Sequence, residues 1–451
     1  MLLARAATRS LDLQYYIWKG DLSGSLLLDE IRAAASRGVR VRLLLDDNGT
    51  SGLDGPLAAL DALPGVEVRL FNPFVLRWPK ALGYLADFRR LNRRMHNKSF
   101  TADNQVTVVG GRNIGDEYFG AREEGLFVDL DALAIGPVVR DVSADFDRYW
   151  NSASAYPASR ILPAAPERDV AEIEDAAELA RSTPAAQAYV ASVRSLPIIE
   201  RIFDGTLPWT WAPVTMVSDD PAKALGLAPR EDLLWPTLRR AIGEPRRSLR
   251  LVSGYFVPTD AGVDAFAGLA RGGVDVGILT NALRSTDVPV VYAGYAHQRE
   301  ALLRAGVRLY ELHGIGRDPV VAEGSRLLLG SGSGLGGSET SAASALHAKT
   351  FAVDGERLFV GSFNFDPRSI HLNTELGFVI ESPSLTQALE ASFAERLPAQ
   401  AYEVQLASDG ELEWVERRDG TLVQHRTEPG TTALRRAMVW LLSCLPIEWL
   451  L

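Results

Sequence analysis

A chain of 451 residues, 47% hydrophobic and 23% charged, carries enough apolar mass for two or three folded domains. Its formal net charge of −10 argues against an open basic surface for nonspecific nucleic-acid binding, while leaving room for a locally basic cleft. The single cysteine, Cys444, excludes an intrachain disulfide and a cysteine-based zinc cluster, and it fits a reducing compartment.

In chain order, the sequence predicts a strand over 11–17, a helix over 26–36 and a strand over 39–45. The helix repeats apolar residues at Leu26, Leu27, Ile31 and Ala34, and Gly38 stands where it should stop. No signal-peptide pattern precedes the first strand, and a core strand this close to Met1 suggests that a further segment lies upstream. A helix over 57–63 and a strand over 66–71 follow. Residues 73–98 then mix cations with large apolar groups: Arg77, Trp78, Lys80, Tyr84, Phe88, Arg89, Arg90, Arg93 and Arg94. That mixture suits either a seat for anionic lipid heads or a basic helix with a solvated face.

Residues 152–210 are rich in Ala, Pro and Glu, with helical patterns over 170–180 and 185–193, and read as a helical linker. A new strand over 214–217 opens the second half. The first pattern then recurs as strand 249–256, helix 262–270, the stop Gly272-Gly273 and strand 274–280, followed by helix 295–304 and strand 307–311. Alternating strands and helices in each half predict an α/β fold, with mixed, mostly parallel sheets flanked by helices. The run 331–344, almost all Gly, Ser, Thr and Ala, reads as a flexible loop, either a lid or a plain connector. The apolar run 437–447 falls short of the roughly 18 to 20 residues a membrane span needs. It suits a final amphipathic helix, docked on the core or lying in a membrane interface with Trp440 and Trp449 as anchors.

Each half carries one copy of the pattern His-x-Lys-x-x-x-x-Asp: His96, Lys98 and Asp103, then His347, Lys349 and Asp354. Each is followed at the same distance by a Gly/Asn turn, Gly110-Gly111-Arg112-Asn113 and Gly361-Ser362-Phe363-Asn364. In extended chain, residues i and i+2 share a face, so each His and Lys should point the same way. A lone His-x-Lys is weak, but two of only six histidines falling in matched patterns is not. The set suits phosphodiester transfer. A neutral imidazole can attack an anionic diester and form a phosphohistidine, and a second imidazole can protonate the leaving oxygen. Lysines and asparagine amides can neutralise the nonbridging oxygens. This chemistry needs no cofactor, and a His-x-Lys pair offers a metal one ligand beside a repelling cation.

The paired motifs, with Asp12 to Trp18, Gly110 to Phe119, Phe146 to Asn151, Thr280-Asn281, Thr286-Asp287, Gly361 to Ser369 and Asn373-Thr374-Glu375, resemble the phospholipase D superfamily. Within it, the bacterial cardiolipin synthases and related proteins are nearest. The resemblance covers nearly the whole chain. It implies two pseudo-symmetric phospholipase-D-like βα domains with the active site at their interface: 1–151 and 211–400, joined by a linker over 152–210 and followed by a C-terminal extension over 401–451. It implies a catalytic set of His96, Lys98, Asp103, His347, Lys349 and Asp354, with His96 the usual nucleophile and the two aspartates more structural than chemical. Lys98, Lys349, Asn113 and Asn364 would bind phosphate, and Asp129 and Glu375 would orient the histidines. The activity it implies is phosphatidyl transfer between phospholipids through a phosphohistidine, producing cardiolipin. Hydrolysis to phosphatidic acid and nuclease action are the alternatives. Partners would be phospholipids and a membrane surface rather than nucleic acid, with the protein peripheral to the cytoplasmic side of a bacterial inner membrane.

Overall fold

Strand and amphipathic helix alternate in both halves of the computed structural model, which describes residues 1–121, 127–164, 168–194, 196, 201–202, 204–313, 345–418, 420–445 and 448–451. The chain divides into two compact units. One comprises 1–109, 113–123 and 133–213; the other comprises 110–112, 124–132 and 214–451.

In the first unit, strands Ser10–Ile17, Arg40–Gly49 and Val66–Phe71 lie parallel, with Leu11 beside Val41 and Val41 beside Val66. Helix Leu22–Ser36 starts at Asp21, whose carboxylate accepts the Gly24 N–H, and it turns Leu27, Leu28, Ile31 and Ala34 into the core against Leu11, Leu13, Val41 and Leu43. Strand Ser99–Ala102 pairs antiparallel with the first strand, placing Ser99 opposite Gln14, and turns back into Val106–Gly110. The full sheet runs Asp131–Ile135, Val106–Gly110, Ser99–Ala102, Ser10–Ile17, Arg40–Gly49, Val66–Phe71, Ala155–Pro157.

The second unit repeats this plan. Strands Ser248–Ser253, Asp275–Asn281 and Arg308–Leu312 are parallel, and Lys349–Val353 pairs antiparallel with the first of them, Lys349 opposite Ser253. Arg357–Gly361, Leu376–Glu381 and Val214–Ser218 continue antiparallel on that side. Both sheets are therefore mixed. Parallel pairing, expected to dominate, is confined to three central strands, because the motif hairpins and the outer strands reverse direction. The boundary expected at 400 also shifts. Ala401–Leu406 pairs with Arg308–Leu312, and Leu412–Arg418 and Thr421–His425 extend the same sheet to ten strands. Helix Ala433–Ser443 buries Val439 in the core beside Tyr292 and Tyr295, and exposes Leu434, Trp440 and Leu441. The run 331–344 and the Trp449 side chain lie outside the described residues. Among the described residues, no helix is long and apolar enough to cross a membrane.

The aspartates of the two motifs serve this architecture. Asp103 and Asp354 both sit at positive φ, 52° and 57°, in the turn of each motif hairpin. The Asp103 carboxylate accepts the N–H groups of Thr8, Arg9 and Ser10, and that of Asp354 accepts those of Arg246, Arg247 and Ser248. Each ties the hairpin to the start of a central strand. Partial burial opposes ionisation of both, but the backbone donors outweigh it and hold each carboxyl below the ordinary aspartate pKa. The stabilisation is thus complete above the ordinary pKa and is lost as pH falls through the lower folded value. Asp354→Ala should lower stability by about 1–3 kcal/mol at neutral pH. In denaturant titrations, the gap from the parent protein should narrow on acidification below the ordinary aspartate range.

Candidate active site

Around the second motif, the chain's own backbone brings the functional groups together. Asn281, at the end of its strand, donates to the carbonyls of Gly254 and Leu346 and accepts the Leu346 N–H, at 3.0, 2.8 and 2.7 Å. Gly254 permits that approach, since a Cβ there would lie 2.2 Å from the Leu346 carbonyl oxygen. From the other side, the Val128 carbonyl accepts the N–H groups of both His347 and Ala348 at 2.8 and 2.9 Å. Leu346 is thereby held by the Asn281 side-chain amide and His347 by the Val128 carbonyl, and the His347 ring, 4% exposed, packs against Phe127 and Tyr255.

Asp129 sits one residue beyond Val128, and its Oδ2 lies 2.5 Å from His347 Nδ1. With the carboxylate ionised, Nδ1 must be the protonated nitrogen, which leaves the lone pair on Nε2. Gly111 makes space for this carboxylate, because a Cβ there would stand 2.2 Å from Asp129 Oδ1. Arg112 donates to the Asp129 carbonyl and forms an ion pair with Asp131. Burial alone would push the Asp129 carboxyl up, but His347, Lys349 and Arg112 together hold its pKa below the ordinary value. Lys349 donates to the His347 carbonyl, and its Nζ is 2.9 Å from Nδ1. Since Nδ1 carries a proton shared with Asp129, that second approach is electrostatic rather than a hydrogen bond. Burial lowers the Lys349 pKa to about 8 against the opposing pull of Asp129, Glu375, Asp287 and Asp366.

The first motif is built alike within its own unit. Lys98, 2% exposed, donates to the His96 carbonyl at 2.6 Å, and the His96 ring meets Tyr16 edge-on at 5.0 Å. The lysine nitrogens stand 5.6 Å from the Tyr16 ring centre and 5.8 Å from that of Tyr255. Asp46, within strand Arg40–Gly49, accepts the Met95 N–H and the buried guanidinium of Arg94, fixing the segment that leads into His96.

The remaining sequence candidates divide. Asn113 accepts the Ile17 N–H through Oδ1 and donates through Nδ2 to the Tyr118 hydroxyl, so its amide is engaged in structure here. Asn364 is buried, with Oδ1 shielded from solvent and without a hydrogen bond. Glu375 is fully buried; Ser362 donates to its Oε2 at 2.5 Å, and its N–H donates to Asp219. In the basic stretch 73–98, Arg77 and Lys80 are held by Asp47 and Asp54, Arg90 by Asp87 and Arg94 by Asp46. These four cations are thus engaged with carboxylates of the chain itself. Val75, Trp78 and Leu85 are instead 93%, 86% and 85% exposed. Of the residues that set the motif backbones and Glu375, the sequence marked Asn281 only as part of a family-like segment, and Asp219 and Asp46 not at all. Among the described residues, no cluster of three His, Cys, Asp or Glu could hold a metal.

A family model described as cardiolipin synthase, phospholipase-D-like domain, matches residues 2–150 and 238–397. The chain belongs to this phospholipase-D-like family. Cardiolipin synthase C of Escherichia coli (strain K12) is 49% identical over 449 residues, which is 100% of this chain and 92% of that one. A cardiolipin synthase of Staphylococcus aureus is 26% identical over 398 residues, covering 87% of this chain and 63% of its own length. Among solved structures, a phosphatidylserine synthase of Haemophilus influenzae Rd KW20 shares the fold with a TM-score of 0.58 at 14% identity, covering 91% of this chain and 85% of the other. For this phospholipase-D-like protein, the lowered Lys349 pKa sets a pH limit. The ammonium is complete below about pH 8 and is lost as pH rises through it, so kcat/KM should fall along a basic limb near that value. Lys349→Arg should move the limb upward, and Lys349→Met should cost about a hundredfold or more at neutral pH.

Proposed function

We propose that the protein transfers phosphatidyl groups between phospholipids through a phosphohistidine and so makes cardiolipin. The observation that carries this reading is the Asp129–His347–Lys349 arrangement. It presents an imidazole with its proton fixed on Nδ1, so that Nε2 carries the lone pair, and an ammonium beside it. One imidazole Nε2 attacks phosphorus, and the bond to the leaving headgroup oxygen breaks as that oxygen takes a proton from the other imidazole. The incoming alcohol then returns its proton to that second imidazole as its oxygen displaces the phosphohistidine nitrogen. Lys98 and Lys349 stabilise charge on the nonbridging oxygens. The sequence likeness to cardiolipin synthases of two bacteria supports a glycerol-bearing lipid as acceptor. Hydrolysis shares the first step and differs only in the acceptor.

We further propose that the protein works at a membrane surface through its exposed apolar groups. Val75, Trp78, Leu82, Leu85 and Phe88 crowd one short segment, and Leu434, Trp440 and Leu441 line the helix near the C-terminus. Exposed apolar groups clustered along one segment suit an interaction surface, and the aromatic members suit a lipid interface.

With phosphatidylglycerol vesicles, mass spectrometry should show cardiolipin and free glycerol, both lost in His96→Ala and in His347→Ala and both retained in EDTA. Phosphatidic acid without cardiolipin would establish the hydrolytic reading instead. In vesicle flotation, the double variant Trp78→Glu, Leu85→Glu should bind about tenfold or more weakly, since each change forfeits roughly 1.5–3 kcal/mol of apolar burial. Unchanged flotation would reject this segment as the membrane contact.

A further inference from the structure

We propose that Tyr255 and Asp287 form a subsite for a headgroup hydroxyl, favouring a polyol over simple alcohols and water when the phosphohistidine is resolved. The inference rests on the phosphatidyl-transfer reading above. Tyr255, 8% exposed, sets its ring nearly perpendicular to that of His347 at 6.1 Å, and the Lys349 ammonium lies over its face. Its phenol donates to Asp287 Oδ2 at 2.6 Å. Asp287 stands just ahead of helix Pro289–Arg304, and the Tyr255 ring links it to the His347 imidazole.

The other carboxylate oxygen, Asp287 Oδ1, is shielded from solvent and accepts no hydrogen bond. A shielded acceptor without a donor is costly and calls for one. Burial pushes the Asp287 carboxyl up, while Tyr255, the residue's own backbone N–H and Lys349 pull the other way. The reacting phosphodiester brings only acceptors. A glycerol headgroup brings hydroxyls, and one can donate to Oδ1 while its neighbour attacks phosphorus. In that step the attacking oxygen forms the P–O bond, its proton passes to the second imidazole, and the P–N bond to the phosphohistidine breaks. The hydroxyl on Asp287 is bound and not consumed. Ethanol and water can offer an attacking oxygen but no second hydroxyl, and that difference is what the subsite reads.

Partitioning tests this without reference to how much intermediate forms. The whole protein would be given phosphatidylglycerol vesicles with deuterated glycerol and ethanol at equal concentration, and labelled phosphatidylglycerol and phosphatidylethanol would be counted by mass spectrometry. The parent protein should favour glycerol. In Tyr255→Phe and Asp287→Asn, the product ratio should move about tenfold toward ethanol. A ratio within about twofold of the parent, in a variant that still makes phosphatidylethanol, would overturn the proposal. If one variant makes neither product, the other decides. If both fold and both lose both products, the pair serves an earlier step and the proposal falls. No incorporation of either alcohol by the parent protein would instead remove the phosphatidyl-transfer reading.

Discussion

The hydrogen bond between Asp129 and His347 is the constraint on which the rest of the proposed chemistry depends. It decides which imidazole nitrogen carries the proton and therefore which can meet phosphorus. A buried carboxylate tends to protonate unless cations hold it ionised, and His347, Lys349 and Arg112 do so here. Steric room matters as much. Any side chain at Gly111 would collide with Asp129, so the second glycine of the Gly110-Gly111 pair is fixed by the carboxylate rather than by the turn alone. Although Asp129 belongs to the first half of the sequence, its segment 124–132 is part of the second compact unit, where residues 127–128 pair with Ala345–Leu346. The two halves of the chain are thus interdependent for one histidine's protonation state.

Duplication shows itself in geometry more than in sequence. Each motif lysine turns back to the carbonyl of its own histidine, and each lies at nearly the same distance from a tyrosine face. Each motif aspartate caps the start of the central strand with which its hairpin pairs. The eight-residue pattern therefore combines two functions. Its His and Lys carry the proposed chemistry, while its Asp, at the far end of the hairpin, fixes the strand that carries them.

Much of this was legible in the residues. The βα alternation, the stop glycines and the matched Gly/Asn turns pointed to two like halves, and periodicity located nearly every central strand and helix. What the sequence hid was long-range. Nothing local marks Asn281 as the clamp on Leu346, a residue 65 positions away, nor Asp219 as the anchor of the Glu375 backbone. The meander 401–425 was hidden for the same reason, since its pairing with Arg308–Leu312 is set by tertiary contact. The basic stretch before His96 misled in a different way. Its cations look free in sequence, yet Asp46, Asp47 and Asp54, all contributed by an earlier part of the chain, occupy Arg94, Arg77 and Lys80.

The stereochemical course at phosphorus tests the central claim most directly. A phosphatidyl donor of defined phosphorothioate configuration would be turned over with an alcohol acceptor and the product configuration assigned. Two in-line displacements, the first by an imidazole and the second by the alcohol, predict overall retention. Inversion would mean direct attack by the acceptor, and the oriented histidine would then have no covalent role.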